Sequence, residues 1–126
     1  MQNVKAHILV VEDDNDLRDA ISDTLLINGY GVSDVNCAEQ ALEFLAANPC
    51  DLVISDVNMP GMDGYQLLRR IATDQPQLPV LIMTAYGSIS NAVQAIRNGA
   101  VDYLETPFST DKLMSIVVKY VKPVFV

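Results

Sequence analysis

The sequence predicts a doubly wound α/β fold in which five parallel strands are each followed by a helix. Three observations carry that expectation. Short aliphatic runs alternate with longer amphipathic stretches five times along the chain. The first, third and fourth of those runs are almost continuously apolar, as suits strands covered on both faces. A length of 126 residues fills one core and leaves no room for a second domain.

The first strand is expected over His7 to Glu12, followed by a helix from about Asp16 to Ile27. Leu17, Ala20, Ile21, Thr24 and Leu25 form one stripe of that helix, and Asn28-Gly29 stops it. Gly31 to Val35 reads as the second strand. A helix over Ala38 to Ala47 follows, with Ala41, Leu42 and Leu45 on its apolar face and Pro49 blocking continuation. Leu52 to Asp56 is the third strand and Gly64 to Thr73 its helix. Val80 to Met83 precedes a helix over Ser88 to Asn98 that stops at Gly99. Val101 to Leu104 is the last strand, and a helix over Ser109 to Lys122 ends before Pro123. Leu113, Ile116, Val117, Tyr120 and Val121 give this helix a stripe for core contact, with some width left for a dimer seam. Right-handed crossovers put helices on both faces of the sheet, in strand order 2-1-3-4-5.

Sixteen acidic against eight basic residues give a formal net charge of -8, so the field of the domain repels polyanions and direct binding of DNA or RNA is not expected. The longest apolar runs, such as Ile8 to Val11 and Val80 to Met83, are far too short to span a membrane. The N-terminal residues lack the apolar core and cleavage site of a signal peptide, and a cytoplasmic location is expected. Cys37 and Cys50 have neither metal-site nor disulfide-framework spacing and read as ordinary reduced thiols. His7, the lone histidine, reads as the first residue of a strand and not as a phosphodonor.

Ligands of such sheets bind beyond the carboxyl ends of the strands. Here those ends carry Glu12-Asp13-Asp14, Ser55-Asp56, Thr84 and Thr106-Pro107. With the first and third strands adjacent, Asp13, Asp14 and Asp56 crowd one crevice. Two carboxylates about 4 Å apart repel by roughly 4 kcal/mol at an effective dielectric of 20, so a counter-cation is expected. Carboxylate oxygens without His or Cys favour a hard ion, and a site completed by water and phosphate favours Mg²⁺. A carboxylate can also attack phosphorus when a metal offsets the charge, and Asp56, alone at the end of a buried strand, is the best acceptor. Position by itself leaves that division open: Asp13-Asp14 also read as helix-capping acids and Asp56 as a turn residue. Their combination at neighbouring strand ends favours a site.

The segments Ile8-Leu-Val-Val-Glu-Asp-Asp14, Ser55-Asp-Val-Asn-Met-Pro-Gly-Met-Asp-Gly64, Met83-Thr-Ala85 and Asp102-Tyr-Leu104 resemble the receiver domain of bacterial two-component response regulators, over essentially the whole chain. The resemblance implies the flavodoxin-like (βα)5 fold and phosphotransfer from a histidine kinase to Asp56. It further implies Mg²⁺ held by Asp13, Asp14, Asp56 and the backbone carbonyl of Asn58. Thr84 matches the hydroxyl residue that bonds a phosphoryl oxygen, and Tyr103 the aromatic whose rotamer reports phosphorylation. The fourth helix, fifth strand and fifth helix would then form the output face and a homodimer contact. Such a domain is no enzyme on a separate substrate, but a phosphoacceptor that assists its own phosphotransfer and dephosphorylation. The stretch from Met83 to Ile89, with Ala92-Val93 and Gly99 to Leu104, is similar to receivers of AAA+ enhancer-binding transcription activators. On that reading residues 1–126 are the N-terminal receiver of a longer regulator that continues into ATPase and DNA-binding domains.

One position departs from the pattern: the residue before Pro107 is normally lysine and here is Thr106. A hydroxyl can donate a hydrogen bond but cannot offset charge, so weakened switching is expected, and a receiver that signals without phosphate is the alternative. The bond before Pro107 is expected to be cis, as in the family. Asn58 and Tyr86 stand where the family tunes phosphoryl lifetime. Pro60-Gly61 and Asp63-Gly64 read equally well as turn chemistry. A haloacid-dehalogenase-like phosphohydrolase is a weaker alternative, because Asp14-Asn15-Asp16 leads straight into a helix. A flavodoxin-like cofactor carrier is opposed by Glu12-Asp13-Asp14, which would repel a cofactor phosphate.

Overall fold

In a computed structural model, which describes residues 6–85 and 89–121, the chain forms strands and helices in strict alternation. They are β1 (His7–Val11), α1 (Asn15–Ile27), β2 (Gly31–Val35), α2 (Ala38–Ala47), β3 (Leu52–Asp56), α3 (Gly64–Asp74), β4 (Val80–Ala85), α4 (Ile89–Arg97), β5 (Asp102–Thr106) and α5 (Thr110–Tyr120). The five strands pair in parallel in the order β2-β1-β3-β4-β5.

Alternation along each buried strand divides the core into two layers. Leu9, Val11, Val53, Val80 and Ile82 face α2 and α3, meeting Ala38, Ala41, Leu67, Leu68 and Ile71, with Ala95 of α4 in the same layer. Ile8, Val10, Leu52, Ile54, Leu81 and Met83 face α1 and α5, meeting Ile21, Leu25, Leu113, Ile116 and Val117. Tyr30 closes the second layer, its hydroxyl donating to the carbonyl of Val121 at 2.6 Å. With both faces covered, the continuous apolar runs of β1, β3 and β4 are stable only as central strands.

Helix boundaries follow local chemistry. Asp14 caps α1, its side chain accepting from the amides of Asp16 and Leu17. Asp63 caps α3 in a reciprocal box with Gln66, and the Ser109 hydroxyl accepts from the Lys112 amide at the start of α5. Gly29 and Gly99, with φ of 94° and 106°, turn the chain out of α1 and α4 in the left-handed region that a side chain disfavours.

Several boundaries depart from the sequence expectation. Glu12 lies just past β1. The last two strands run on to Ala85 and Thr106, because pairing of Thr84 with Glu105 and Ala85 with Thr106 holds polar residues in the sheet. The last helix starts one residue later than expected, Ser109 being its cap. Ser88, Lys122 and the Pro123 to Val126 tail fall outside the described residues.

Candidate functional site

The carboxyl ends of β1 and β3 are brought together by direct pairing, Val11 standing opposite Ser55. The chain just past β1 supplies Glu12 and Asp13, the last residue of β3 is Asp56, and the three each place a carboxylate oxygen within 4.8 Å of the others. Glu12 is buried, Asp56 half-buried and Asp13 exposed, so the group opens to solvent on one side.

Burial shapes the protonation of this trio. Glu12 is pushed up to about 8, chiefly by loss of hydration, with the neighbouring Asp13 and Asp56 side chains adding to the rise and the Asp14 amide opposing it. Asp56 is also raised, first by burial and then by the charge of Asp13, while the amides of Asn58 and Val57 and a hydrogen bond with Glu12 pull it back. The two acids therefore share a proton near neutrality, held on Glu12 and directed at Asp56. No ion pair reaches Glu12, Asp13 or Asp56 among the described residues. A hard divalent cation fits this set of three carboxylates, since it would replace the shared proton and offset their mutual repulsion.

Asp14, expected in the crevice, is placed elsewhere. Its Oδ1 accepts from the amides of Asp16 and Leu17 at 3.0 and 3.1 Å, while its own amide donates to Glu12 Oε2 at 3.0 Å. Its carboxylate caps α1, and Glu12, which the sequence reading had left as the last residue of a strand, occupies the cluster. A turn at Glu12 and Asp13 ends strand periodicity, so the alternation that would put residues 12 and 14 on one side no longer holds. Asp16 sits in the first turn of α1, exposed and with its amide held by Asp14, as the weaker phosphohydrolase reading could not use it.

The loop after β3 holds Asp56 in place. The Asn58 amide donates to Asp56 Oδ1 at 3.2 Å, and the Gly64 amide donates to the Val57 carbonyl at 2.9 Å. A Cβ at Gly64 would collide with the Asp56 carbonyl and lie 2.8 Å from Val57 Cα. Gly64 is thus required by the closeness of α3 to the backbone of Asp56 and Val57, a demand that exceeds the turn chemistry its sequence suggested. The Tyr65 hydroxyl, next along, donates to the Asn91 carbonyl at 2.9 Å and ties α3 to α4.

On the other side of β3, Asp56 stands opposite Met83 of β4, one residue before Thr84. Thr84 is 1% exposed and its hydroxyl has no hydrogen-bond partner among the described residues. An unpaired buried hydroxyl costs about 1 to 3 kcal/mol, and this one lies near the carboxyl end of β4, next to the end of β3 that carries Asp56. Thr106 turns its own hydroxyl to the Thr84 carbonyl at 3.1 Å, and the Thr106-Pro107 bond is cis, as expected. Tyr103 points outward from the edge strand, 37% exposed. Tyr86 lies outside the described residues.

Residues 8–118 match the model of the response regulator receiver domain. The chain belongs to the response-regulator receiver family. This receiver is 55% identical over 115 residues to the response regulator protein FleR of Pseudomonas aeruginosa, covering 91% of this chain and 24% of that protein. It is 42% identical over 113 residues to the transcriptional regulatory protein FixJ of Bradyrhizobium diazoefficiens, covering 90% of this chain and 55% of that one. Among solved structures, NtrX from Brucella abortus in complex with ADP superposes with a TM-score of 0.89 at 35% identity, over 93% of this chain and 27% of that one. The receiver thus spans about a quarter to a half of the length of these relatives. No helix among its described residues is long and apolar enough to cross a membrane.

Proposed function

We propose that this receiver takes a phosphoryl group from a sensor histidine kinase onto Asp56, in a Mg²⁺-dependent reaction, and passes the signal to a transcription-regulating output. The observation that carries the reading is the meeting of Glu12, Asp13 and Asp56 at one end of the sheet, near a buried Thr84 hydroxyl that has no partner among the described residues. Glu12, Asp13, Asp56 and the backbone carbonyl of Asn58 are the groups that would hold Mg²⁺. Asp14 belongs to the helix cap. When bound, the ion offsets repulsion between carboxylate and phosphoryl oxygens.

In the transfer, an Asp56 carboxylate oxygen forms a bond to phosphorus as the P–N bond of phosphohistidine breaks, and the departing imidazole keeps the electron pair. The Thr84 hydroxyl then donates to a phosphoryl oxygen, gaining the partner it lacks. Its movement frees space for the Tyr103 ring to turn inward, which shifts the population toward the active arrangement. The surface that changes is formed by α4, β5 and α5. It exposes Val93, Ile96, Val101, Tyr103 and Val118 and is suited to homodimer contact. In the cytoplasm, residues 1–126 would act as the N-terminal receiver of a longer regulator, with AAA+ and DNA-binding domains reading this surface.

A second reading, signalling without phosphate, is favoured by Thr106. Its hydroxyl is committed to the Thr84 carbonyl and it brings no positive charge to the acids. Incubation with acetyl phosphate and Mg²⁺, followed by intact-mass measurement, separates the two. The leading reading expects a mass gain of one phosphoryl group that is absent from Asp56→Asn. No gain in the wild type, or the same gain in Asp56→Asn, refutes it.

A further inference from the structure

We propose that Arg18 is the positioning residue of the acidic site, fixing the turn between β1 and α1 so that Glu12 and Asp13 meet Asp56. The proposal rests on the reading of those acids as a Mg²⁺ site. The Arg18 side chain is only 16% exposed and engages three segments at once. Its Nη1 donates to the Glu12 carbonyl at 2.9 Å, its Nη2 donates to Asn15 Oδ1 at 2.7 Å, and its Nε lies 3.7 Å from Asp34 Oδ1 in β2. Asp34 is itself held by the buried Ser22 hydroxyl, which donates to Oδ2 at 3.0 Å.

The carbonyl of Glu12 belongs to the same planar peptide unit as the amide of Asp13, so fixing that carbonyl fixes the direction in which the chain leaves Glu12 for Asp13. The Glu12 amide is fixed independently, donating to the Val35 carbonyl at 3.1 Å. Glu12 is therefore held from β2 at its amide and from Arg18 at its carbonyl, which fixes the direction of its Cα–Cβ bond, and its buried carboxylate lies in the trio with Asp56. The planar fork of the guanidinium is what permits donation to two acceptors with a third beside it, and a lysine ammonium lacks that shape. The ionic partner of Arg18 is Asp34, outside the trio, so the charges of Glu12, Asp13 and Asp56 are left for a cation.

Calorimetric titration of Mg²⁺ into the wild-type chain, Arg18→Lys, Arg18→Met and Asp14→Ala, with urea unfolding of each metal-free form, tests the assignment. The expected result is Mg²⁺ affinity about tenfold weaker in both Arg18 variants, with Arg18→Lys still folding as the wild type does. Asp14→Ala, which loosens the same turn by losing a cap, should bind within about twofold of the wild type. Equal affinity in wild type and Arg18→Lys overturns the proposal alone, as does an affinity loss in Asp14→Ala as large as that in Arg18→Met. No Mg²⁺ binding by the wild type overturns the metal reading and this proposal with it.

Discussion

Replacing Glu12 by glutamine tests the electrostatics of the acidic site most directly. Glu12 is 1% exposed and its carboxyl titrates at about 8, against 4.5 for an ordinary glutamate. Between those values the unfolded chain has released this proton while the folded chain keeps it. The native state thus binds more protons, and the free energy of unfolding must fall as pH rises. The stabilisation is fully present below pH 4.5 and is lost as pH climbs to about 8. Integrated from about pH 5 to about pH 8, the loss is about 3 kcal/mol. Glutamine is neutral throughout, offers an oxygen to the Asp14 amide and an amide donor to Asp56, and removes the slope. Metal-free Glu12→Gln is therefore expected to be more stable than the wild type near pH 7, by about 3 kcal/mol or roughly 10 °C in Tm for a domain of this size. Urea unfolding followed by far-UV circular dichroism across that pH range, in chelator, measures the difference. Added Mg²⁺ should narrow it, because binding stabilises the wild type more than a variant short of one ligand. Parallel pH slopes in the two proteins, or a variant less stable near pH 7, would refute the assignment of the shared proton to Glu12.

Asp14→Ala should lower stability by about 1 kcal/mol through loss of the α1 cap, read by thermal denaturation, with Mg²⁺ affinity nearly unchanged. Gly64→Ala drives a methyl group into the backbone at Asp56 and Val57 and should cost about 2 to 3 kcal/mol. It should also slow labelling of Asp56 by acetyl phosphate, measured as the rate of mass gain. Thr106→Lys introduces an ammonium group beside the acids, and phosphorylation at limiting Mg²⁺ should rise several-fold. No change in labelling or in phosphate-dependent assembly, followed by sedimentation, would show that the missing charge is immaterial. Wild-type Mg²⁺ affinity should increase from about pH 6 to about pH 8, because the ion must displace the Glu12 proton. A flat calorimetric profile would contradict that displacement.

Much of the fold was legible because its signals are local. The continuous apolar runs at Ile8 to Val11, Leu52 to Ile54 and Val80 to Met83 can be buried only between two helical layers. Asn28-Gly29 and Gly99 end helices by backbone geometry that is written in the residues themselves. Strand ends were less legible at β4 and β5, where Thr84, Glu105 and Thr106 are polar and stay in the sheet through pairing with each other's strands. Asp56 drew attention as the last residue of a buried strand, and Thr84 as a polar residue directly after the apolar run of another. Arg18 gave no signal of its own, since its three partners lie in three different segments.

The sequence by itself determined the alternation of elements, the end of the sheet where the acids gather, and the place of Asp56 at the end of a buried strand, because each depends on residue type and local period. Only the tertiary structure decided which acids join it. Alternation along a strand cannot be continued through the turn after Val11. There the backbone carries the Asp14 carboxylate to the amides of α1 and directs Glu12 inward to Asp56. The need for glycine at position 64 was settled at the same level, by the approach of α3 to the backbone of β3. Contacts of that kind depend on how distant segments pack, which no window of neighbouring residues contains.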